Sequence, residues 1–569
     1  MNDLEQVEFD SRTIGALPLI ERFFERLELD SLLEQFLPTR KLGRRPRLSP
    51  GKTLHVMLTN IMISRLPLYA VSRWAASHVP EPLGLQEGQH ELIDDDRIGR
   101  ALDKLYNADR ASLATSLVAR AVGEFALRLE QLHSDTTTVT FSGKYADQKA
   151  KQDTQRPPLI TFGKNKDHRP DLKQLVYELT ITSDGAVPVH HGIYDGNTSD
   201  SSIHEVTWEA LCAFRGSANF LYVGDSKLCN RSLMNRIHSR GGRFLTVLPR
   251  TRSEEGWFRR EYIAHEVVAW EEVRRDYSRA NLDEPDRVFE AFESPQRSVE
   301  GFRIIWYRDS SKLIHDQIER HERIQRAKQK VENLQSRRGR HRLRSVESAQ
   351  KHADQVLAKT GTERWLRVTI LADSDATYRQ EQKGRPGKDT SYRRHEATYL
   401  HFLVSERRDA IALDAHSDGC FPLITNCKNL SARELLDIYK YQPFVEKRNE
   451  QFKSVLDVAP VFLKKPERVS ALLFLYFLAM LISALIEREL RRQMANQGIQ
   501  SLPLYPEERL CCAPTTSVVL DALEGIRRHQ ILDEQGEVLR TFYDSMPEVM
   551  QTTLQLLDVD LSAYGISLT

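Results

Sequence analysis

The N-terminal part of the chain has the hydrophobic period of α-helices. Between residues 10 and about 125, apolar residues recur every three to four positions, beginning with Ile14, Leu17, Ile20, Phe23 and Phe24. Such a stripe places the apolar side chains on one face of each helix. The pattern therefore predicts a small all-α domain over residues 1–125.

A basic loop follows the first helices of this domain and contains Arg44, Arg45 and Arg47. Helices beside a basic loop suit docking on duplex DNA, because the loop can contact phosphates while a helix approaches a groove. The alternative is a loop whose charges are simply solvated. We assign residues 1–125 to a DNA-binding domain and take the three arginines as its phosphate contacts.

The hydrophobic period changes from residue 129 onward. Runs rich in β-branched and aromatic residues, typical of strands, alternate there with helical stripes. Strands are predicted over residues 132–141, 175–182, 187–194, 220–224 and 244–248. Helices that separate the last three strands are predicted over residues 203–214 and 230–239. The order β-β-β-α-β-α-β is typical of an α/β fold.

This alternation is interrupted between about residues 252 and 395. A long, highly charged helical run covers residues 314–358, and its segment from Arg320 to Arg344 holds ten Lys or Arg against two Glu. Two interpretations stay open. The run is either a solvated helix hairpin or an arm that contacts phosphates with its tip at residues 337–340.

The α/β core is predicted to resume at Tyr399, with strands over 400–405 and 421–425 and helices from residues 431 and 443. Closing helices are predicted at about 518–528 and 547–557. The chain is thus divided into a helical N-terminal domain (1–125), a first core half (126–252), an insertion (253–395), a second core half (396–495) and a C-terminal helical region (496–569).

One segment is apolar enough to be considered as a membrane span. Residues 469–486 carry no charge over 18 positions, which is the lower edge of a spanning length. Ser470 and Ser483 dilute the run and charged clusters flank it, so a buried core helix is the preferred interpretation. The acidic N-terminus lacks the pattern of a secretion signal. We therefore expect a cytoplasmic, nucleoid-associated protein without a membrane span.

Composition narrows the function classes only slightly. Hydrophobic residues make up 40% of the chain and charged residues 28%, which is typical of a soluble globular protein. The 81 Lys and Arg balance 80 Asp and Glu, so any surface that binds nucleic acid has to be local. The six cysteines form no CxxC pair, which argues against a zinc knuckle or a disulfide framework.

Three acidic residues lie where α/β proteins keep ligand sites. Asp135 lies inside the first strand, Asp225 directly after a buried strand, and Glu446 near the start of a helix. Taken singly, they could be a polar edge residue, a helix cap and a surface acid. Taken together, three converging carboxylates would repel one another unless divalent cations such as Mg²⁺ lay between them. Two such ions suit an in-line phosphoryl displacement.

The segment around Glu446 resembles a known signature. It is similar to the Tyr-x2-Arg-x3-Glu-x6-Lys pattern of bacterial insertion-sequence transposases of the DDE class, and its matching positions are Tyr439, Gln442, Glu446 and Lys453. On an ideal helix these positions lie within about 60° of one another. Pro443 favours the start of a new helix inside the pattern.

Gln442 replaces the arginine of the signature and so removes a charge that would grip phosphate. Lys440, Lys447 and Arg448 are the candidates to supply that charge instead. The resemblance continues over about residues 10–490. It includes segments 67–69, 94–99, 133–137, 166–174, 196–200 and 222–225.

The resemblance implies an RNase H-like core with an insertion before the catalytic Glu. Carried over position by position, it makes Asp135, Asp225 and Glu446 the catalytic, metal-binding triad for two Mg²⁺ or Mn²⁺ ions. It places two groups of residues on DNA, namely Tyr439, Gln442 and Lys453 near the cut, and Lys166, Arg169 and Lys173 in the polar loop.

Two further features of the family have open alternatives here. His168 would be either a catalytic helper or a structural loop residue. One of four tryptophans of the insertion would stack on a flipped base, or all of them would be core residues. They are Trp257, Trp270, Trp306 and Trp365.

The function that the resemblance implies is that of a DNA transposase. Such an enzyme cleaves the ends of its own insertion sequence and joins the 3′-hydroxyl ends to target DNA. Its partners would be double-stranded DNA, as terminal inverted repeats and as target, and a second copy of the chain in the synaptic complex. Two alternatives remain. They are a catalytically inactive DNA-binding protein derived from a transposase and a metal-dependent nuclease without strand transfer.

Overall fold

A computed structural model of the chain describes residues 8–37, 48–142, 145, 156–166, 169–277, 285–335, 343, 345–456, 458 and 463–566. The chain divides into two compact units. The first unit consists of the residues up to Leu245 together with those from Asp437 onward, and the second unit is Thr246–Leu436.

The strands are, in chain order, β1 (Glu8–Thr13), β2 (Gln131–Phe141), β3 (Lys173–Thr182), β4 (Pro188–Asp195), β5 (Leu221–Val223), β6 (Arg243–Val247), β7 (Glu271–Asp276), β8 (Arg287–Glu293), β9 (Arg303–Asp309), β10 (Leu366–Gln380), β11 (Tyr392–Glu406), β12 (Cys420–Thr425), β13 (Arg527–Leu532) and β14 (Val538–Tyr543).

The helices are α1 (Leu17–Arg26), α2 (Leu29–Phe36), α3 (Pro50–Ile63), α4 (Val71–Ala76), α5 (Asp95–Asn107), α6 (Arg110–Phe125), α7 (Asp200–Arg215), α8 (Arg231–Ser239), α9 (Ser253–Trp257), α10 (Ile263–His265), α11 (Ser310–Gln335), α12 (Val346–Thr360), α13 (Arg408–Ala415), α14 (Ala432–Tyr439), α15 (Pro443–Glu450), α16 (Pro466–Asn496), α17 (Thr516–Leu523) and α18 (Glu548–Leu556). Two π-helical segments, Phe258–Tyr262 and Gln451–Val455, adjoin α9 and α15.

The first unit contains a mixed sheet with the strand order β4-β3-β2-β5-β6. β2, β3 and β4 pair antiparallel, whereas β5 and β6 join β2 in parallel. The predicted order β-β-β-α-β-α-β is confirmed, and each predicted element lies within a few residues of its observed bounds. Asn230 caps α8 as the sequence favours, because its side chain accepts hydrogen bonds from the backbone N–H groups of Ser232 and Leu233.

Helix α16 forms the interior of the first unit and packs on α3, α5 and β4. It is long and apolar enough to cross a membrane, yet all of its apolar window is buried inside the structure. The bent pair 50–63 and 68–76 passes the same test of length and composition. The position of α16 agrees with the predicted core helix over residues 469–486.

Both ends of the chain contain strands where helices were predicted. β1 pairs antiparallel with β13, which in turn pairs with β14. β1 and β13 are short and largely polar, so the sequence around them has little of the alternation that marks a strand. Their pairing joins residues about five hundred positions apart. The predicted C-terminal helical region is therefore part helix and part sheet.

The second unit contains a four-stranded antiparallel arrangement in the order β12-β9-β8-β7 and a separate two-stranded ribbon, β10-β11. The predicted boundary between residues 395 and 396 falls inside β11, and the predicted strand 400–405 belongs to this ribbon. The predicted strand 421–425 is β12, in the same unit. The core was predicted to resume at Tyr399, whereas the chain returns to the first unit at Asp437.

Helices α11 and α12 occupy the charged run of the second unit. They pack on each other through Ile324, Val331 and Ala353, so the described part of the run is a helix hairpin, and its contact with phosphates stays a prediction. The basic tip at residues 337–340 lies outside the described residues. Trp306 is a core residue, stacked on Phe258 with ring centroids 3.8 Å apart.

Candidate active site

The pairing of β2 with β5 brings Asp135 and Asp225 to the same end of the sheet. The two strands run parallel, and His133 pairs with Val223, the last residue of β5. Both aspartates lie two residues beyond this pair, on the side of the carboxyl end of β5, where parallel strands place their ligands. β2 continues past the end of β5 to Phe141, so Asp135 lies inside its strand.

Asp135 is partly buried and has two polar neighbours. Its Oδ2 accepts a hydrogen bond from the side-chain amide of Asn449 at 3.3 Å, and its Oδ1 lies 3.5 Å from Lys166 Nζ. Burial raises the pKa of Asp135, and the charge of Asp225 raises it further, whereas the ammonium of Lys166 and the backbone N–H of Thr136 act in the opposite direction. A cation bound beside Asp135 would therefore stabilise the charged form of its carboxyl.

Asp225 is held by a buried histidine. His204 Nε2 lies 3.2 Å from Asp225 Oδ1, and His204 Nδ1 lies 2.9 Å from the hydroxyl of Tyr222. Burial alone would raise the pKa of Asp225, but the hydrogen bond and charge of His204 outweigh it and lower the pKa. Gly224 makes this contact possible, because a Cβ there would come within 3.0 Å of His204.

The alternative role of Asp225 as a cap for the following helix is not observed. Its Oδ1 accepts from the backbone N–H of Lys227 at 3.0 Å, which forms a local turn, and α8 is capped by Asn230 instead.

Glu446 joins the two aspartates from the first turn of α15. Its side chain is exposed, yet partial desolvation and the negative charge of Asp135 raise its pKa. Lys166 lowers the pKa of each of the three carboxyls, Asp135, Asp225 and Glu446. The elements that carry these acids adjoin one another, because β5 pairs with β2 and α15 packs on β2.

The carboxylate oxygens of these acids do not form a group of three within 4.8 Å of one another. Among the described residues, the group of that kind is His315, Asp316 and Glu319 in the second unit. The triad is thus an open set of oxygen donors. Carboxylate oxygens are donors that suit a divalent cation that retains water.

Gln442 does not occupy the position predicted from the signature. Its side chain is only 5% exposed and links the helical segment to β2. Its Oε1 accepts from His133 Nδ1 at 3.0 Å, and its Nε2 donates to the carbonyl of Ser134, also at 3.0 Å. The DNA-binding role predicted for Gln442 disagrees with this buried position. Its contacts instead hold α15 against the strand that carries Asp135.

The predicted common helical face of the signature is also wrong. α14 ends at Tyr439, α15 begins at Pro443, and Lys453 lies in a π-helical segment. Burial and the three carboxylates of the site raise the pKa of the Tyr439 hydroxyl to about 12, so this residue is nevertheless close to the triad. Lys453 is half-buried, and its DNA contact stays a prediction.

Arg448 does not supply the charge that the signature lacks. It is buried, donates to the carbonyl of Ala186 at 3.0 Å and pairs with Glu487 at 2.7 Å. Its role is to join α15 to α16. Lys447 is exposed and lies over the ring of Phe444 at 5.0 Å.

The side chains of the predicted polar loop lie partly at the candidate site and partly on the surface. Lys166 belongs to the site, where its ammonium also donates to the carbonyl and hydroxyl oxygens of Thr136. Arg169 is exposed and holds Asp171 through two hydrogen bonds, whereas Lys173 donates to the carbonyl of Tyr145 at 2.7 Å. Four candidates lie outside the described residues, namely His168, Arg44, Arg45 and Arg47.

Sequence reasoning missed two residues that support the triad. His204 and Asn449 each touch one of its aspartates, but a lone His in a helix and a lone Asn carry no sequence signal. It also missed Glu178, which is fully buried on β3 and accepts hydrogen bonds from the hydroxyls of Ser134 and Thr180. Burial raises its pKa to about 8, and the charge of Asp135 contributes.

Comparison with known proteins gives partial likenesses. Residues 9–119 match the model of a family described as a domain of unknown function (DUF4277). No curated protein matches the chain. Seven chains of solved structures match, among them a piggyBac transposase synaptic complex with hairpin DNA. That match has 10% sequence identity and a TM-score of 0.36, covering 83% of this chain and 75% of the other. The chain is thus similar in part to a transposase, at a TM-score too low to establish a common fold.

Proposed function

We propose that this protein is a DNA transposase of the DDE class, which cleaves the ends of its own element and joins the freed 3′-hydroxyl groups to target DNA. The observation that supports this proposal is that β2, which carries Asp135, pairs with β5, which Asp225 follows, and packs against α15, which carries Glu446. The signature around Glu446 supplies the reaction class.

The triad fits divalent cations by its chemistry. Its donors are carboxylate oxygens, the ligands that Mg²⁺ and Mn²⁺ prefer, and the pKa values of Asp135 and Glu446 are raised by burial and by mutual repulsion. Asp135, Asp225 and Glu446 would hold the two metal ions. When bound, these ions supply a nucleophile at neutral pH and stabilise the charge of the leaving oxygen.

Other residues of the site orient the ligands and the substrate. Asn449 and His204 each hold one aspartate in place, so the carboxylates require little reorganisation when they bind a cation. Lys166 is anchored on Thr136 and 39% exposed, which leaves its ammonium accessible to a phosphate of the cleaved strand. Gln442 fixes the distance between α15 and β2.

The partners follow from the reaction. We propose duplex DNA as substrate and target, and a homodimer in the synaptic complex, because two element ends have to be held together. The helical N-terminal domain and Tyr439, Lys453, Arg169 and Lys173 are the proposed DNA contacts of the first unit.

The test uses the gene with its flanking DNA on a plasmid. Purified wild-type chain and the Asp225→Asn variant are incubated with this plasmid and Mg²⁺, and excised and joined products are sequenced. We expect both products from wild type only, with end binding retained by the variant.

Other outcomes separate the alternatives. Cleavage without joined products would identify a nuclease without strand transfer. Binding without cleavage by either protein would identify an inactive DNA-binding protein. Equal cleavage by wild type and Asp225→Asn would overturn the assignment of the site.

A further inference from the structure

The ribbon β10-β11 extends away from the packed part of the second unit. Its base is fixed, because Leu366, Val368, Leu400 and Phe402 pack into the cluster formed with α11 and α12. Beyond Ala372, which pairs with Leu400, the strands continue in register to the pair Gln380–Tyr392. At 3.4 Å per residue, this free part is about 27 Å long before its loop.

The free part of the ribbon has two solvated faces. Residues 371–399 contain no buried side chain, and all but Gln380, Thr390 and Ala397 are exposed. A two-stranded ribbon without a covered face is only marginally stable in water. No third strand pairs with either edge among the described residues, and strand edges usually require protection or a partner. These features of the ribbon are typical of a surface that a partner covers in a complex.

Charge is concentrated in the distal half of this ribbon. Residues 378–395 hold six Lys or Arg against Glu381 and Asp389, which gives a net charge of +4 with His395 neutral. The proximal half carries the opposite sign, through Asp373, Asp375 and Glu396. The whole chain has a net charge of only +1, so this separation is local. This distribution of charge suits a long polyanion that binds the tip of the ribbon but not its base.

The dimensions also fit duplex DNA. The major groove of B-form DNA is about 12 Å wide and admits a two-stranded ribbon, whereas that of duplex RNA is too narrow. The tip contains Tyr378 and Tyr392, exposed by 64% and 51%, beside the cations. We propose that residues 378–395 form a DNA-binding arm that enters the major groove and holds its phosphates. The proposal rests on the proposed function only in choosing DNA as the polyanion.

The test compares two full-length variants that lose the same charge. The ribbon variant replaces four distal cations by Gln, at Arg379, Lys383, Lys388 and Arg393. The matched control replaces four exposed cations of α11 and α12, at Arg326, Lys330, Lys351 and Lys359. This control also tests the helix hairpin that the sequence predicts as an alternative phosphate-contacting arm.

Affinity for a 30-base-pair duplex of mixed sequence is measured by fluorescence anisotropy between 50 and 300 mM salt. Each phosphate contact contributes about 0.9 to the slope of log K against log salt. The ribbon variant should therefore have a slope smaller by about 3 to 4, and should bind up to about tenfold more weakly per lost contact at 0.1 M salt. The control should match wild type. Equal loss in both variants, or loss in the control alone, overturns the proposal.

A second variant removes residues 374–398 and joins Asp373 to Tyr399, a register pair, through Asn-Gly, which favours a two-residue hairpin turn. It should retain the thermal midpoint and oligomeric state of wild type, while losing the same part of the salt slope. A change in oligomeric state by light scattering without loss of DNA affinity would show that the ribbon contacts a second copy, and would overturn the proposal.

The proposed DNA-binding arm and the proposed function can be refuted independently of each other. If the ribbon variant binds the duplex as wild type does while Asp225→Asn abolishes cleavage, the arm is wrong and the transposase assignment stands. If the arm contributes to binding but wild type does not cleave, the proposed function fails and the arm stands.

Discussion

The buried carboxyl of Glu178 should make the stability of the protein depend on pH, because of its surroundings. Glu178 is fully buried, and its Oε1 accepts from the hydroxyls of Ser134 and Thr180. Its other oxygen lies 3.7 Å from His190 Nε2, beyond hydrogen-bond distance. Burial lowers the pKa of His190 to about 4, so this histidine brings no positive charge at neutral pH. Burial raises the pKa of Glu178 from 4.5 to about 8.

The sign of the effect follows from proton linkage. Because the folded pKa is higher than the unfolded one, the folded state binds more protons between pH 4.5 and 8. The stability that Glu178 contributes is therefore complete below about pH 4.5 and is lost as the pH rises through 8. One pKa unit corresponds to about 1.4 kcal/mol, so the loss between pH 5 and 8 is about 4 kcal/mol.

The Glu178→Gln variant removes this titration. It keeps the oxygen that the two hydroxyls contact and needs no proton to stay neutral. Urea unfolding of the full chain at pH 5.5, 6.5, 7.5 and 8.5 would give the free energy of unfolding of wild type, Glu178→Gln and the exposed control Glu130→Gln. The free energy of unfolding of Glu178→Gln should rise relative to that of wild type by about 1.4 kcal/mol per pH unit up to about pH 8. The control should follow wild type. Parallel pH profiles of wild type and Glu178→Gln would refute the reasoning.

Three further substitutions test the support of the site. His204→Asn should raise the Mg²⁺ concentration for half-maximal cleavage by about tenfold to a hundredfold, because Asp225 loses its positioning partner; an unchanged Mg²⁺ titration would contradict this role. Gln442→Ala should lower the free energy of unfolding by about 2–4 kcal/mol in urea, since two buried partners lose hydrogen bonds, and a loss of DNA affinity with unchanged stability would contradict the buried position. Arg448→Ala leaves the buried Glu487 with Arg491 at 3.8 Å and the backbone N–H of Thr516, and should cost about 1.5–3 kcal/mol in the same assay through the lost charged hydrogen bond, whereas a value near zero would show that the pair is not buried.

The sequence predicts the first half of the core well for a physical reason. The strands around Asp135 and Asp225 have β-branched, buried runs, so their ends can be located within a few residues. Parallel pairing then places both carboxyls at one edge. Glu446 was predicted through the resemblance, and α15, which carries it, packs on β2.

The rest depends on contacts between distant parts of the chain. Gln442 is buried because β2, more than 300 residues earlier, supplies His133 and the carbonyl of Ser134 as partners. No local pattern reveals such a contact. The distal part of the ribbon escaped prediction for a related reason, since neither face of residues 371–399 is apolar. Such a strand has no period-2 hydrophobic signal and becomes visible only through its pairing.

Mg²⁺-dependent release of the element ends in vitro tests the central claim most directly. Wild type, Glu446→Gln and Glu450→Gln would be compared on linear DNA that carries the gene's flanking sequences, with end binding measured in parallel. Glu446 and Glu450 are exposed acids one helical turn apart on α15, so the second variant controls for the loss of charge. The account predicts that Glu446→Gln binds the ends without cutting them and that Glu450→Gln cuts at the wild-type rate. Cleavage by Glu446→Gln at the wild-type rate would contradict the assignment of the triad.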